Sequence, residues 1–204
     1  MKITANKITM ARIALVPFII LFIFLTTEKF FYAPYIAFLI YLLAVCTDAL
    51  DGNFARKTNT VSNFGKFLDP ISDKIFVNGV LIALIFCGVF AGEVYGAGGA
   101  LTCVNAACII VMLTREFAIS AIRQLAAEKN VIIAADVYGK IKAVLTFISF
   151  GSFILALAKD GGEPLNVISE LFMFFGLVVF YAATAFSVLS GINYYLKNKS
   201  SLKF

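Results

Sequence analysis

Long apolar stretches make up most of this chain, and they constrain its fold more than any other feature. Of its 204 residues, 61% are hydrophobic and only 14% are charged. A helix that crosses a bilayer needs about 20 consecutive, mainly apolar residues. The sequence therefore predicts an all-α, polytopic membrane protein with six transmembrane helices, preceded by a short N-terminal interfacial helix, in a single domain over residues 1–204. The predicted spans cover roughly residues 11–27, 33–55, 67–91, 99–127, 137–158 and 166–196.

Lysine and arginine are distributed unevenly about these spans. With six spans, the two termini and the loops after spans two and four share one side of the membrane, and they hold 15 of the 17 basic residues. Only Lys29 and Lys159 fall on the other side. Because cytoplasmic segments carry the excess of basic residues, both termini are expected in the cytoplasm and the protein in the cell (inner) membrane.

The first twelve residues alternate between polar and apolar positions. We expect the apolar positions to lie in the headgroup plane and the basic ones to face lipid phosphates. The apolar set is Ile3, Ile8 and Met10, and the basic set is Lys2, Lys7 and Arg12.

Charge is concentrated in one stretch of the apolar sequence, residues 47–74. Asp48 and Asp51 are three residues apart, and Asp69 and Asp73 are four apart, so each pair shares one face if the segment is helical. Two carboxylate pairs suit hard divalent cations. The chain has no histidine, which leaves carboxylates as metal ligands and Asp or Glu, less readily Lys, as general base. The alternative for any single aspartate is a helix cap or a solvated loop charge.

Two features of this stretch bear on its local structure. Gly52 and Ala55 fall on the same helix face as the first aspartate pair, where a large ligand could lie against the backbone. The start of the third span has two interpretations: Ser62 caps a helix that includes Gly65 and Pro70, or Asp69 is the cap.

Basic residues are concentrated in a second stretch, residues 114–142. Arg115 and Arg123 are eight apart, near enough to one helix face, and Lys140 and Lys142 follow Gly139 at the start of span five. Arginine and lysine meeting near a helix start would form an anion pocket. The alternative is the ordinary excess of basic residues on the cytoplasmic side.

The four cysteines have no Cys-x2-Cys spacing and lie in or beside apolar stretches. They are expected to be small buried side chains and not a disulfide framework or a zinc site. They are Cys46, Cys87, Cys103 and Cys108.

The aspartate stretch resembles a known family. Its pattern, Asp48-x2-Asp51-Gly52-x2-Ala55-Arg56-x8-Gly65-x3-Asp69-x3-Asp73, is similar at all eight fixed positions to the signature of the CDP-alcohol phosphotransferases. Members of that family are integral membrane enzymes that transfer a phosphatidyl-type group from a CDP-linked donor to an alcohol and release CMP. The opening Asn6-x2-Thr9-x2-Arg12 also resembles bacterial members.

The basic stretch resembles one branch of the family. Arg115-Glu116-Phe117, Arg123, Ala134-Ala135 and Gly139-Lys140-x-Lys142 look like the matching segment of bacterial phosphatidylglycerophosphate synthases, whose acceptor is sn-glycerol 3-phosphate. Position 143 is Ala here, where that branch often has Thr.

The resemblance implies cofactors, partners and residue roles. It implies two divalent cations, Mg²⁺ or Mn²⁺, the substrates CDP-diacylglycerol and glycerol 3-phosphate, surrounding membrane lipids and a homodimer. No nucleic acid is expected as a partner: the net charge is +5, but the basic residues lie beside apolar spans, where an anionic inner leaflet and phosphate-bearing substrates explain them better. The implied metal ligands are Asp48, Asp51, Asp69 and Asp73, with Asp73 also the general base; the implied donor-binding residues are Asp48, Gly52, Ala55, Arg56, Ser62, Asn6 and Thr9; the implied acceptor-phosphate-binding residues are Arg115, Arg123, Lys140 and Lys142.

Two alternative functions remain at this point. The first keeps the family and changes the acceptor to phosphatidylglycerol (a cardiolipin synthase), inositol phosphate or serine. The second is a small cation transporter, which would place its carboxylates near mid-span.

Overall fold

The computed structural model describes residues 5–26, 30–58, 63–128, 137–158 and 163–198, without the side chains of 5–9, 48–58, 63–70, 125, 127–128, 163–164 and 198. Six α-helices and one 3₁₀ helix account for most of these residues, and no strand occurs among them. The all-α prediction is confirmed. The α-helices are α1 (Ala5–Phe24), α2 (Ala33–Thr58), α3 (Asn63–Phe86), α4 (Gly98–Glu128), α5 (Val137–Ala156) and α6 (Glu163–Asn198), and the 3₁₀ helix is Gly92–Tyr95.

Three helices are long and apolar enough to cross a membrane within the part of the chain that the structure describes. They are Gly98–Gln124 of α4, Val137–Ala156 (α5) and Leu165–Lys197 of α6. The apolar parts of α1 and α2, Met10–Phe24 and Ala33–Thr47, are shorter. Large apolar side chains such as Phe86 and Phe174 are exposed on the helices, as expected for surfaces that face lipid. The protein is a membrane protein, and six spans remain a prediction.

The chain divides into two compact units. Unit 1 comprises Met1–Val89 and Phe150–Met173, and unit 2 comprises Phe90–Ser149 and Phe174–Phe204. Helices α5 and α6 therefore contribute residues to both units. The single-domain prediction stays a prediction.

Helix α1 packs against both α2 and α3 in unit 1. The approach to α3 is close, because a Cβ atom added at Gly79 would lie 3.0 Å from Cγ1 of Val16. Helices α2 and α3 also contact each other, since the rings of Tyr41 and Phe76 stack with centroids 5.4 Å apart. These contacts fix the three helices that carry the N-terminal motif and the aspartate stretch.

A buried asparagine organises the first half of α4 in unit 2. Nδ2 of Asn105 donates to the carbonyl of Phe90 at 2.9 Å, and the Tyr181 hydroxyl of α6 donates to Oδ1 of Asn105 at 2.5 Å. One turn earlier, Thr102 Oγ1 accepts from the backbone N–H of Gly92 at 2.7 Å. The start of the 3₁₀ helix and the segment just before it are thus held to α4 through side-chain hydrogen bonds.

Helix α1 differs from the sequence-based expectation in two respects. It begins at Ala5 and continues without a break into the predicted first span, so the predicted interfacial segment and the span belong to one helix. The prediction that Arg12 faces lipid phosphates is wrong, because its side chain is only 2% exposed. Position 12 lies on the same helical face as the buried Val16, Ile19 and Ile23, and that face packs against α2 and α3.

Helix α3 settles the choice between the two proposed starts. It begins at Asn63 and runs through Gly65 and Pro70, which favours the longer of the two helices. Ser62, the proposed cap, lies outside the described residues.

All four cysteines are free, as predicted. The expectation that they are buried is wrong: Cys46 and Cys103 are exposed, and Cys87 and Cys108 are partly exposed. Cysteine is apolar enough for the lipid-facing side of a helix, so an apolar sequence context does not distinguish the core from the lipid surface.

Candidate active site

The structure places all four aspartates in helices of unit 1. Asp48 and Asp51 lie in α2, and Asp69 and Asp73 lie in α3. The helical spacing on which the paired-carboxylate prediction depends is therefore present. The side chains of Asp48, Asp51 and Asp69 are outside the described set, so their contacts remain predictions, whereas the Asp73 side chain is exposed.

The stacked rings of Tyr41 and Phe76 mark where α2 and α3 meet, and they show how far along each helix the aspartates lie from that contact. Only residues 59–62 join the two helices, and helices with so short a connection run antiparallel. Asp48 lies seven residues after Tyr41, and Asp69 lies seven residues before Phe76. With a rise of 1.5 Å per residue, each is about 10 Å from the ring contact, on the same side of it.

This arrangement fits a divalent cation. Antiparallel helices in contact bring aspartates from both helices to one level, and the donors are all carboxylate oxygens, which Mg²⁺ and Mn²⁺ prefer. The residues present in α2 and α3 thus suit the cations that the family resemblance implies.

The predicted donor-binding residues belong to the same unit. Asn6 and Thr9 lie in the first turns of α1, and Gly52, Ala55 and Arg56 lie in the last turns of α2. Helix α1 packs on α2 and α3, so the N-terminal motif and the aspartate motif are carried by one packed group of helices. The side-chain contacts of these five residues lie outside the described set.

Arg115 is enclosed by three helices of unit 2. It lies on α4 and is half-buried, and its Nη2 donates to Oγ of Ser190 on α6. A Cβ added at Gly139 on α5 would lie 3.3 Å from that Nη2. The structure therefore brings the predicted Arg115 and Gly139 together and adds Ser190, which the sequence did not single out.

Lys142 is the most enclosed of the four predicted basic residues. Its side chain is 5% exposed, and its Nζ donates to Oε1 of Glu116 on α4, whose side chain is 21% exposed. The hydroxyl of Thr146 donates to the Lys142 carbonyl at 2.9 Å, one turn along α5. A carboxylate thus compensates the charge of this buried ammonium group.

The other two predicted basic residues are exposed. The guanidinium of Arg123 lies over the ring of Tyr194 on α6, 5.7 Å from the ring centroid, which is a cation–π contact. Lys140 lies in the first turn of α5. The exposed side chains of Arg123 and Lys140 suit ligand binding, while Arg115 and Lys142 are held by neighbouring helices.

Sequence reasoning missed three residues that contact the predicted basic residues of α4 and α5. Glu116 was part of the quoted motif but received no role, and Ser190 and Tyr194 on α6 were not connected with it. A signal was present, because Ser187, Ser190 and Tyr194 recur at helical spacing within an otherwise apolar span. Polar residues on one face of a membrane-spanning helix commonly face the protein interior.

The comparisons with known proteins agree along nearly the whole chain. The CDP-diacylglycerol–glycerol-3-phosphate 3-phosphatidyltransferase of Bacillus subtilis (strain 168) is 33% identical in an alignment that covers 97% of this chain and 96% of that protein. The protein of the same name from Rickettsia bellii (strain RML369-C) is 30% identical over 93% of this chain and 92% of its own length. That of Mycoplasma genitalium (strain G37) is 36% identical over 80% of this chain and 64% of its own length.

A family-wide profile gives the same result. The profile described as CDP-alcohol phosphatidyltransferase matches residues 2–189, which include the N-terminal motif, the aspartate stretch and all four basic residues of unit 2. With the helical placement of the aspartates, this match shows that the chain belongs to the CDP-alcohol phosphatidyltransferase family.

Proposed function

We propose that this protein transfers the phosphatidyl group of CDP-diacylglycerol to sn-glycerol 3-phosphate, giving phosphatidylglycerophosphate and CMP. The oxygen of an acceptor hydroxyl forms a bond to the β-phosphorus of the donor. The bond from that phosphorus to the bridging pyrophosphate oxygen breaks, and CMP leaves with the electron pair. Relatives that bear this activity in their names, aligned along more than nine-tenths of the chain, support the reaction.

The residues of α2 and α3 bind and orient the donor in this proposal. Asp48, Asp51 and Asp69 hold the divalent cations, and a bound pair of Mg²⁺ or Mn²⁺ ions supplies charge neutralisation at the pyrophosphate. Gly52 and Ala55 leave room for the cytidine nucleotide. The remaining donor contacts are assigned to Arg56, Ser62, Asn6 and Thr9.

Asp73 accepts the proton of the acceptor hydroxyl. Its side chain is exposed and lies one turn beyond Asp69 on α3, which supports access to a substrate. A carboxylate is a weak base, so the role depends on an acidified hydroxyl nearby.

The basic residues of unit 2 bind the phosphate of the acceptor. The observation that carries this assignment is a set of contacts made by the second half of α4, which we call the basic cluster. Arg115 bonds to Ser190 on α6, and Arg123 lies over Tyr194 on α6. Lys142 on α5, two residues after Lys140, pairs with Glu116 on α4. A phosphomonoester such as glycerol 3-phosphate carries nearly two negative charges at neutral pH. Phosphatidylglycerol, a phosphodiester, carries one, so the cluster favours glycerol 3-phosphate.

The proposal extends to location and assembly. The distribution of Lys and Arg supports a cell-membrane protein whose termini and active site face the cytoplasm. The family resemblance supports a homodimer, which light scattering of the purified protein in detergent would test.

The first experiment is an activity assay of the purified protein with CDP-diacylglycerol, Mg²⁺ and labelled glycerol 3-phosphate, following CMP and the lipid product. Metal-dependent formation of phosphatidylglycerophosphate is the expected result. If CMP is released only with phosphatidylglycerol or inositol phosphate, the proposed donor is correct and the proposed acceptor, glycerol 3-phosphate, is wrong. If folded protein shows no turnover with any acceptor, the proposed enzymatic activity is wrong, and cation transport becomes the favoured function.

Arg123→Ala tests the acceptor cluster directly. Loss of an exposed cation that contacts the acceptor phosphate raises the KM for glycerol 3-phosphate more than the KM for CDP-diacylglycerol. Equal changes in both constants would contradict the assignment of Arg123 to the acceptor.

A further inference from the structure

Arg115 lies in a narrow slot lined by small residues of α5 and α6. On α5, a Cβ at Gly139 would lie 3.3 Å from both Arg115 Nη2 and Ser190 Oγ, closer than side chains normally pack. On α6, a Cβ at Gly191 would lie 3.4 Å from Arg115 Cγ. The arginine stem thus passes the α6 backbone at Gly191, and its terminal nitrogen lies between Gly139 and Ser190.

Ser190 supplies a polar contact at the end of this slot. It is fully buried on α6, and its Oγ accepts a hydrogen bond from Arg115 Nη2. A guanidinium has five N–H donors in a fixed plane. A bond from one of them to a buried hydroxyl therefore constrains the orientation of that plane.

We infer that Ser190 is a positioning residue, which orients the Arg115 guanidinium for the phosphate of an anionic acceptor, with Gly139 providing the space for that orientation. The inference rests on the proposed function, in which Arg115 binds the acceptor phosphate. Arginine recognises phosphate through two parallel N–H groups, so its plane must be set for both to engage.

The same helix offers a matched control. Ser187 lies one turn before Ser190 and is also fully buried. Its Oγ has no hydrogen-bond partner within the described part of the chain. Ser187→Ala and Ser190→Ala therefore remove the same atom from equally buried positions of one helix, and only the second removes a contact with Arg115.

The experiment compares kcat and both KM values in purified Ser190→Ala, Ser187→Ala, Arg115→Ala and the double variant Arg115→Ala/Ser190→Ala. Ser190→Ala is expected to raise the KM for glycerol 3-phosphate roughly tenfold, as for loss of a hydrogen bond to a charged group. Its kcat and its KM for CDP-diacylglycerol stay within about twofold, and Ser187→Ala resembles the wild type. The double variant matches Arg115→Ala, because Ser190 acts only through that side chain.

Gly139→Ala provides an independent test that keeps the hydroxyl. Its methyl group crowds Arg115 Nη2 and Ser190 Oγ, so the KM for glycerol 3-phosphate rises as in Ser190→Ala. An unchanged KM would contradict the role of Gly139. If Ser190→Ala does not fold, Ser190→Cys replaces it, because a thiol of similar size accepts a much weaker hydrogen bond.

The outcomes separate this inference from the function on which it rests. If Arg115→Ala leaves the KM for glycerol 3-phosphate unchanged in an active enzyme, the acceptor role of Arg115 is wrong and the inference falls with it. If Arg115→Ala raises that KM while Ser190→Ala behaves like Ser187→Ala, only the positioning role is wrong. Equal KM increases from Ser190→Ala with and without Arg115 would also overturn it.

Discussion

Lys142 and Glu116 form an ion pair in which the lysine is almost completely buried. A charge in such surroundings is costly unless it is compensated, and removing one partner of a buried pair leaves the other uncompensated. The sequence placed Lys142 among phosphate ligands, whereas the structure places its ammonium on a carboxylate of the neighbouring helix. The pair joins α4 to α5 within unit 2, whatever further role Lys142 has.

Single substitutions in this pair are expected to destabilise the protein more than the double apolar substitution does. Glu116→Met or Lys142→Met alone lowers the free energy of unfolding by about 3 kcal/mol, because one charge remains uncompensated. Glu116→Met/Lys142→Met retains more stability than either single variant, because no charge is left. Thermal unfolding in detergent ranks the stabilities of the three variants. A double variant whose loss of stability equals the sum of the two single losses would contradict the expectation.

Among the four aspartates of the proposed active site, Asp73 is the one whose side-chain exposure the structure describes. Asp73→Asn keeps the shape of the side chain and removes its basicity, so turnover is expected to fall by at least about a hundredfold. Binding of CDP-diacylglycerol in the presence of Mg²⁺ should persist. Activity like that of the wild type would remove Asp73 as general base, and loss of donor binding would show that it acts as a metal ligand instead.

At the level of the helices, Asn105 holds the start of α4 to two neighbours. Its side chain uses both functional groups, the amide N–H towards the Phe90 carbonyl and the amide oxygen towards the Tyr181 hydroxyl. Buried polar groups that lose their partners are costly. This network is distinct from the basic cluster, which is carried by the second half of α4.

Asn105→Ala is expected to lower the free energy of unfolding by about 2–3 kcal/mol, since the Phe90 carbonyl and the Tyr181 hydroxyl both lose a partner. The KM for glycerol 3-phosphate should not change, because the substitution lies some ten residues from Arg115 along α4. Cys103→Ala, on the exposed side of the same helix, serves as the control and should leave thermal stability unchanged. A shift in KM without loss of stability would contradict this separation of roles.

The sequence predicted the helices closely because apolar runs and polar breaks determine them. The predicted span 137–158 corresponds to α5 at Val137–Ala156, and 99–127 corresponds to α4 at Gly98–Glu128. The start of α3 was ambiguous, because proline near the beginning of a helix is compatible with either boundary.

Contacts between helices were harder to predict than the helices themselves. The burial of Arg12 and the partners of Arg115 and Lys142 depend on how α-helices are rotated against each other. Spacing within one helix indicates a face but not the neighbour that this face meets. Ser190 lies 75 residues from Arg115, and no local pattern connects the two.

For the whole molecule, the orientation in the membrane can be measured at two exposed positions of unit 2. Val94 lies in the 3₁₀ helix between α3 and α4, and Lys197 lies in the last turn of α6. Six spans with cytoplasmic termini place these positions on opposite sides of the membrane.

We expect single cysteines at these two positions to differ in their reaction with a maleimide in spheroplasts. Each is introduced into a variant that lacks the four native cysteines. Val94→Cys is expected to react with a membrane-impermeant maleimide from outside, and Lys197→Cys only after permeabilisation. Activity of the cysteine-free parent is the control. Labelling of both positions from outside would contradict six spans with cytoplasmic termini.

The ion pair between α4 and α5 also has a consequence during synthesis. Glu116 and Lys142 are 26 residues apart in the chain, so at about 5–20 residues per second the ribosome adds Lys142 roughly 1–5 s after Glu116. Throughout that interval α4 carries a carboxylate whose partner does not yet exist. We therefore expect α4 to settle into its final position only when α5 follows it into the bilayer, so that the two helices insert as a hairpin, and Arg115 to be fixed last, when α6 delivers Ser190.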